Sequence, residues 1–216
     1  MLKNITIIGN SGNTLAIIDS LISINKIKKK FKILGILDDV NNVPYRDVKV
    51  IGNIKKHKII NNSYYINGIA SIKSFSAKNV IIQKFEKNRA KFISIFDPTS
   101  VISLDSKIEH GVYVGANTFV GAKTYIGKHT LILQNSCINH HVSIQPYVTI
   151  SSNTSILGFV KIGTKSFIGS GCVVNPYSII EDNVILGTGS NVFNKLKSKS
   201  IYYGNKAKFI RKNNFL

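Results

Sequence analysis

Cysteine is almost missing from this chain. Two residues, Cys137 and Cys172, cannot build a disulfide framework, which excludes the small cross-linked secreted folds and suits the cytoplasm. No apolar run approaches the length of a membrane-spanning helix, so no membrane insertion is expected. The start, Met1-Leu2-Lys3-Asn4, leads straight into a strand-like run rather than a signal segment. Acidic side chains are scarce as well. Only 10 stand against 29 Lys and Arg, giving a net charge of +19. That excess is unevenly placed: +11 over residues 1–101, +1 over 102–194 and +7 over 195–216. No helix-turn-helix, zinc-finger or aromatic-basic sheet motif goes with it, so nucleic acid is not an expected partner. Two readings stay open: a Lys- and Asn-rich composition without a dedicated use, and a positive field that draws anionic ligands.

What is abundant is a period of six. Ile102, Ile108, Val114, Val120 and Ile126 begin a series that runs to Val192 with a branched aliphatic at every sixth residue. Four residues after each stands a small or β-branched side chain, such as Thr118, Ser136, Val148 or Cys172. The position just after the aliphatic is often glycine, as at Gly115, Gly121, Gly127, Gly163, Gly169 and Gly187. Six fits neither a helix nor a hairpin array. It fits a chain that makes a short strand, turns and repeats, three strands closing one triangular coil of eighteen residues. The aliphatic and the small residue face inward, and the glycines are expected to relieve the turns. Five coils at the strand spacing stack to about 24 Å.

The repeat resembles that of the hexapeptide-repeat acyltransferases. The resemblance implies a left-handed parallel β-helix, a homotrimer, and acetyl-CoA bound in the cleft between neighbouring prisms. The left hand comes from the resemblance, since the general preference for right-handed crossovers predicts the opposite.

Upstream of the repeat, Asn4–Ile8 reads as a buried strand, Gly9–Thr14 as a glycine turn, and Leu15, Ile18, Leu21 and Ile22 as a helical face. Strand, turn and helix make the first half of a nucleotide-binding unit, although the third glycine of the dinucleotide fingerprint is absent. A second strand, Phe31–Leu37, ends in Asp38-Asp39, where Rossmann-like folds hold a ribose and where a solvated turn is an equal reading. Tyr64–Asn67 reads as a third strand closing on Gly68, residues 75–88 as a helix, and Phe92–Phe96 as a strand leading to Asp97-Pro98. The expected domains are a Rossmann-like α/β unit over 1–95, the prism over 98–194, and a basic tail over 195–216 that leaves the prism.

The pairing of the two domains resembles the sugar acetyltransferases of bacterial surface-glycan pathways. These include sialic acid O-acetyltransferases and the bacillosamine-pathway N-acetyltransferases of nucleotide-linked 4-amino-4,6-dideoxy sugars. By position, the resemblance assigns the nucleotide-sugar to Ser11, Gly12, Asn13, Asp38, Asp39 and Gly68; Asn13 stands where the family usually has His. The family's catalytic signature, a histidine between two acids, here reads Ile138-Asn139-His140-His141. His140 takes the place of the general base, both carboxylates are missing, and His141 is kept as an alternative base. Gly158, eighteen residues on, supplies the backbone N–H that meets the acetyl carbonyl in the family. Thr149 stands where the family has a cofactor-binding His, and Ser170 and Thr188 fall along the pantetheine arm.

Acetyl transfer needs a neutral nucleophile, a base for its proton and a donor for the oxyanion. A histidine suits the base, and an amine depends on it less than a hydroxyl does, which favours N-acetylation. O-acetylation of a sialic acid and a non-catalytic trimeric scaffold remain the alternatives. No metal is expected: adjacent histidines diverge on a strand, and His57, His110 and His129 lack ligand spacing with them.

Overall fold

The computed structural model describes residues 2–70 and 75–214. It divides into two compact units, Met1–Pro98 and Thr99–Leu216.

The first unit is a parallel sheet with two helices. Its elements are β1 (Lys3–Ile8), α1 (Gly12–Ile27), β2 (Phe31–Leu37), β3 (Val50–Gly52), β4 (Ser63–Asn67), α2 (Phe75–Lys87) and β5 (Lys91–Phe92). The order across the sheet is β3-β2-β1-β4-β5. Ile5, Ile7 and Ile8 of the central β1 are fully buried, as a strand covered on both faces requires. The expected run Phe92–Phe96 breaks into two short pieces, Lys91–Phe92 and Ile95–Phe96. β3 is a three-residue edge strand, too short for its alternation to be read from the sequence. The direction of the chain across the sheet reverses between β1 and β4, the place where open α/β sheets leave a crevice beyond their strand ends.

The second unit is a three-faced parallel β-solenoid. Two-residue strands stack eighteen apart in strict register: Ile132 pairs with Ile150, and Ile150 with Ile168. The first face runs from Val101–Ile102 to Asn191–Val192, the second from Lys107–Ile108 to Ile179–Ile180, and the third from Tyr113–Val114 to Ile185–Leu186. The inward aliphatics and the small residues four places on form one continuous core. Ile102 and Ile108 are only partly buried, because they begin the stack. Inward hydroxyls are satisfied by carbonyls of the next strand, as Thr154 Oγ1 donates to Gly169 O at 3.1 Å and Ser166 Oγ to Glu181 O at 3.0 Å.

The turns correct one expectation. The glycines after the aliphatics do not adopt left-handed backbone; that conformation falls two residues later, at Asn117, Lys123, His129, Asn135 and their successors. Those glycines are set by close approach instead. A Cβ on Gly163 would lie 2.5 Å from the backbone N of Asp182, and one on Gly127 2.5 Å from that of Pro146. Stacking brings the next coil's backbone onto this position, so a side chain there would force the coils apart.

The tail, expected to leave the prism, extends it over Ser200–Tyr203 and Lys208–Lys212. Ser200–Tyr203 pairs in parallel with Ile185–Leu186, and Lys208–Lys212 folds back antiparallel on it. Asn191 N donates to Gly204 O at 3.1 Å and Ala207 N to Asn191 O at 2.7 Å, closing the last coil.

Candidate active site

His140 and His141 occupy the turn between Cys137–Ile138 and Ser143–Ile144, on the edge shared by the first and second faces. Ile138 and Val142 are buried on either side, which anchors the turn and drives both rings outward. Both histidines are exposed. His141 is the left-handed corner residue, with φ 56°. Its Nδ1 lies 3.1 Å from Nδ1 of His140, and the two rings stand at 88°.

Two glycines make the room. One coil below, a Cβ on Gly121 would come within 2.9 Å of the Asn139 carbonyl carbon and the His140 nitrogen. One coil above, a Cβ on Gly158 would lie 2.8 Å from Cε1 and 3.1 Å from Nε2 of His140. The imidazole therefore rests on the Gly158 backbone. His140 O accepts from Phe159 N, and Gly158 O accepts from Tyr177 N, which carries the stack onward. Among the described residues no backbone acceptor takes the Gly158 N–H.

Sequence position alone hid a ladder of rings on this edge. His141 stacks on Phe159 at 4.7 Å and 18°, and Phe159 on Tyr177 at 5.0 Å and 6°. Their spacing of eighteen was the available signal. His110 and His129, nineteen apart, also meet: their ring centroids are 5.2 Å apart, and His129 stacks on Tyr147 at 5.3 Å.

Of the residues the resemblance assigned to acetyl-CoA, Gly158 alone is beside His140. Ser170 and Thr188 lie one above the other on the edge between the third and first faces. They continue a polar column in which Ser152 Oγ donates to Gln134 Oε1 at 3.1 Å. A ligand reaching both edges of one copy must cross the whole first face. Thr149 is 1% exposed, in a row with Tyr113, Leu131 and Ile185 on the third face whose outward side chains are all buried. It therefore offers no free surface, unlike His140. Cys172 is core filler, its thiol pushed up by burial.

In the first unit, the glycine turn and the acidic pair converge beyond the strand ends. Ser11 Oγ donates to Gly68 O at 2.9 Å, which ties the ends of β1 and β4 together. Gly68 has no room for a side chain, because a Cβ would lie 2.2 Å from Thr14 Oγ1. Gly12 opens α1, with Asn13 in its first turn. Asp38 is spent on structure: its carboxylate accepts from the backbone N–H of Asn10, Val40 and Asn41 at 2.7, 2.8 and 2.8 Å. Asp39 accepts from Lys55 N at 3.2 Å. It borders two adjoining cavities. One, of about 230 Å³, is lined by Gly9, Asn10, Ser11 and Asp38; the other, of about 420 Å³, by Ile54, Lys55, Val80, Ile81, Lys84 and Phe85. Asn10 was not among the expected site residues; its side chain donates to Asn41 O and Val43 O and so closes the loop after β2. Ile54, Lys55 and Lys84 were missed because only the fold brings them to Asp39.

No family model matches the chain. Solved structures similar to it extend over both units. The acetyltransferase domain of PglB from Neisseria gonorrhoeae FA1090 is 18% identical with a TM-score of 0.87, covering 96% of this chain and 100% of that one. The same domain in complex with acetyl coenzyme A has a TM-score of 0.87. PerB from Caulobacter crescentus, in complex with CoA and GDP-perosamine, is 21% identical with a TM-score of 0.84, covering 97% of this chain and 98% of that one. At this identity the likeness establishes the fold: an α/β unit followed by a hexapeptide solenoid.

Proposed function

We propose that the protein is an acetyl-CoA-dependent N-acetyltransferase acting on a nucleotide-linked 4-amino-4,6-dideoxy sugar. The observation that carries this reading is the exposed imidazole of His140 lying against Gly158 of the next coil. Support comes from the similar structures, one holding acetyl coenzyme A and another CoA with a GDP-linked sugar. In the first unit, the cavities bordered by Asp39 at the strand ends suit the nucleotide. A homotrimer places acetyl-CoA in the cleft between copies, where the His140 edge of one faces a polar column of the next.

The chemistry then runs in two proton transfers. The sugar amine attacks the thioester carbonyl and gives its proton to Nε2 of His140. The developing oxyanion takes a hydrogen bond from the Gly158 N–H. The C–S bond breaks, and the imidazolium returns the proton to the departing thiolate.

The test is release of CoA thiol from acetyl-CoA by the purified protein. The acceptors are GDP-, UDP- and dTDP-linked 4-amino-4,6-dideoxy sugars, with free sialic acid alongside and His140→Ala in parallel. Release with an amino sugar, reduced about 10²–10⁴-fold in the variant, is the expected result. Release with sialic acid only, or full activity of His140→Ala, overturns it.

A further inference from the structure

The proposed base lacks the carboxylate that would orient it, and the structure puts something else there. We infer that His141 is the positioning residue for His140. As a neutral imidazole clamped by an aromatic stack, it accepts the proton on Nδ1 of His140 and leaves Nε2 bare. This inference rests on the reading of His140 as base.

The geometry supplies three independent supports. First, the two Nδ1 atoms are 3.1 Å apart, within reach of a hydrogen bond in which one ring donates and the other accepts. If His141 donated, the neutral His140 would carry its own proton on Nε2 and could take none from an amine. If His140 donates, Nε2 is a free acceptor over Gly158. Only the second arrangement serves a base. Second, His141 is not free to turn away. Its ring lies in the ladder with Phe159 and Tyr177, within 18° of the first, while its edge points at His140. Third, the ladder is not what the coil requires. All three rings sit on left-handed backbone, at φ 56°, 63° and 64°, which histidine tolerates and which the bulkier Phe159 and Tyr177 adopt at a cost. On the edge between the third and first faces, the same corner position is filled by Asn117, Asn135, Asn153, Gly171 and Gly189. Stacking of rings offsets that cost. His129 and Tyr147 make a shorter stack at the corner between the second and third faces, and at the His140 corner the stack holds an acceptor.

A neutral acceptor orients as a carboxylate does but stabilises the imidazolium less. That matches an amine acceptor better than a hydroxyl.

Two measurements test this on the full-length protein. The first is long-range ¹H–¹⁵N correlation of the imidazoles, assigned with His140→Ala and His141→Phe. The expected result is His140 protonated on Nδ1 and His141 on Nε2; a wild-type His140 protonated on Nε2 overturns the inference. The second is kinetics. His141→Phe keeps the ring stack and the corner, since Phe159 already holds that conformation, but it removes the acceptor. The expected fall in kcat is about 10- to 100-fold, a part of what the base supplies, with KM for acetyl-CoA unchanged. His141→Asp, which tolerates left-handed backbone, restores kcat to at least the wild-type level. Wild-type kcat in His141→Phe, or no rescue by Asp, overturns the inference. If the wild-type protein acetylates no acceptor at all, the functional reading fails, and the tautomer spectrum still decides the arrangement of the pair.

Discussion

The two units solve the placing of a polar group in opposite ways. In the solenoid, position follows from counting. A residue's place modulo six gives inward or outward, and modulo eighteen gives its face or edge, so His140 lies under Gly158 because 158 is 140 plus eighteen. In the α/β unit nothing repeats. Asp38, Asn10, Ser11 and Gly68 come together only because β2, β1 and β4 are neighbours in the sheet, and a web of single hydrogen bonds fixes them. A periodic scaffold spreads its strength over many equivalent contacts and leaves its edges free to vary. The singular site has no spare parts.

Several measurements sharpen or break this contrast. The largest effects belong to the core. Ile150→Ala in the solenoid and Ile7→Ala in β1 each remove a fully buried side chain and should cost about 2–5 kcal/mol. Calorimetry should show each lowering the transition of its own unit. If both lower one shared transition equally, the units do not melt independently. Next comes Gly158→Ala, whose methyl displaces the His140 ring while that exposed ring has room to move. CoA release should fall about 10- to 100-fold with little change in melting temperature. Third, Asp38→Ala leaves three backbone N–H groups without their acceptor and should destabilise the α/β unit by about 1.5–3 kcal/mol. Acetyl-CoA binding, read by calorimetry, should be unchanged.

A further effect is one of pH. Burial lowers Lys78 from 10.5 to about 7, so the folded unit binds fewer protons than the unfolded chain between those values. Stability contributed by this group should therefore rise with pH across that window and be lost as pH falls toward 7. The melting temperature of Lys78→Met, compared with wild type at pH 7 and pH 9, should lack that slope.

How much of this was legible in sequence depends on the unit. Register, inward faces, the coil length and the stacking of His140 beneath Gly158 could all be counted. The role of the glycines could not: composition suggests strained turns, whereas the next coil's backbone decides the matter at Gly127 and Gly163. Nor could the burial of Thr149, which the period marks only as outward-facing. In the first unit the strands Lys3–Ile8, Phe31–Leu37 and Ser63–Asn67 and helix Phe75–Lys87 lie where hydrophobic patterning placed them. The pattern does not say which of two adjacent acids is consumed by the backbone.

The sequence by itself determined the solenoid, because a six-residue period of aliphatics leaves the chain only one way to bury them all. It also singled out the corner at 139–141 as the place where the repeat changes character. Only the tertiary structure decided that His141 faces His140 edge-on from a stack of rings, that Asp38 takes three backbone N–H groups and lines one cavity while Asp39 borders both, and that Ser200–Tyr203 and Lys208–Lys212 extend the prism. Those outcomes depend on which backbone groups and rings meet across distant parts of the chain, and single contacts of that kind leave no period to read.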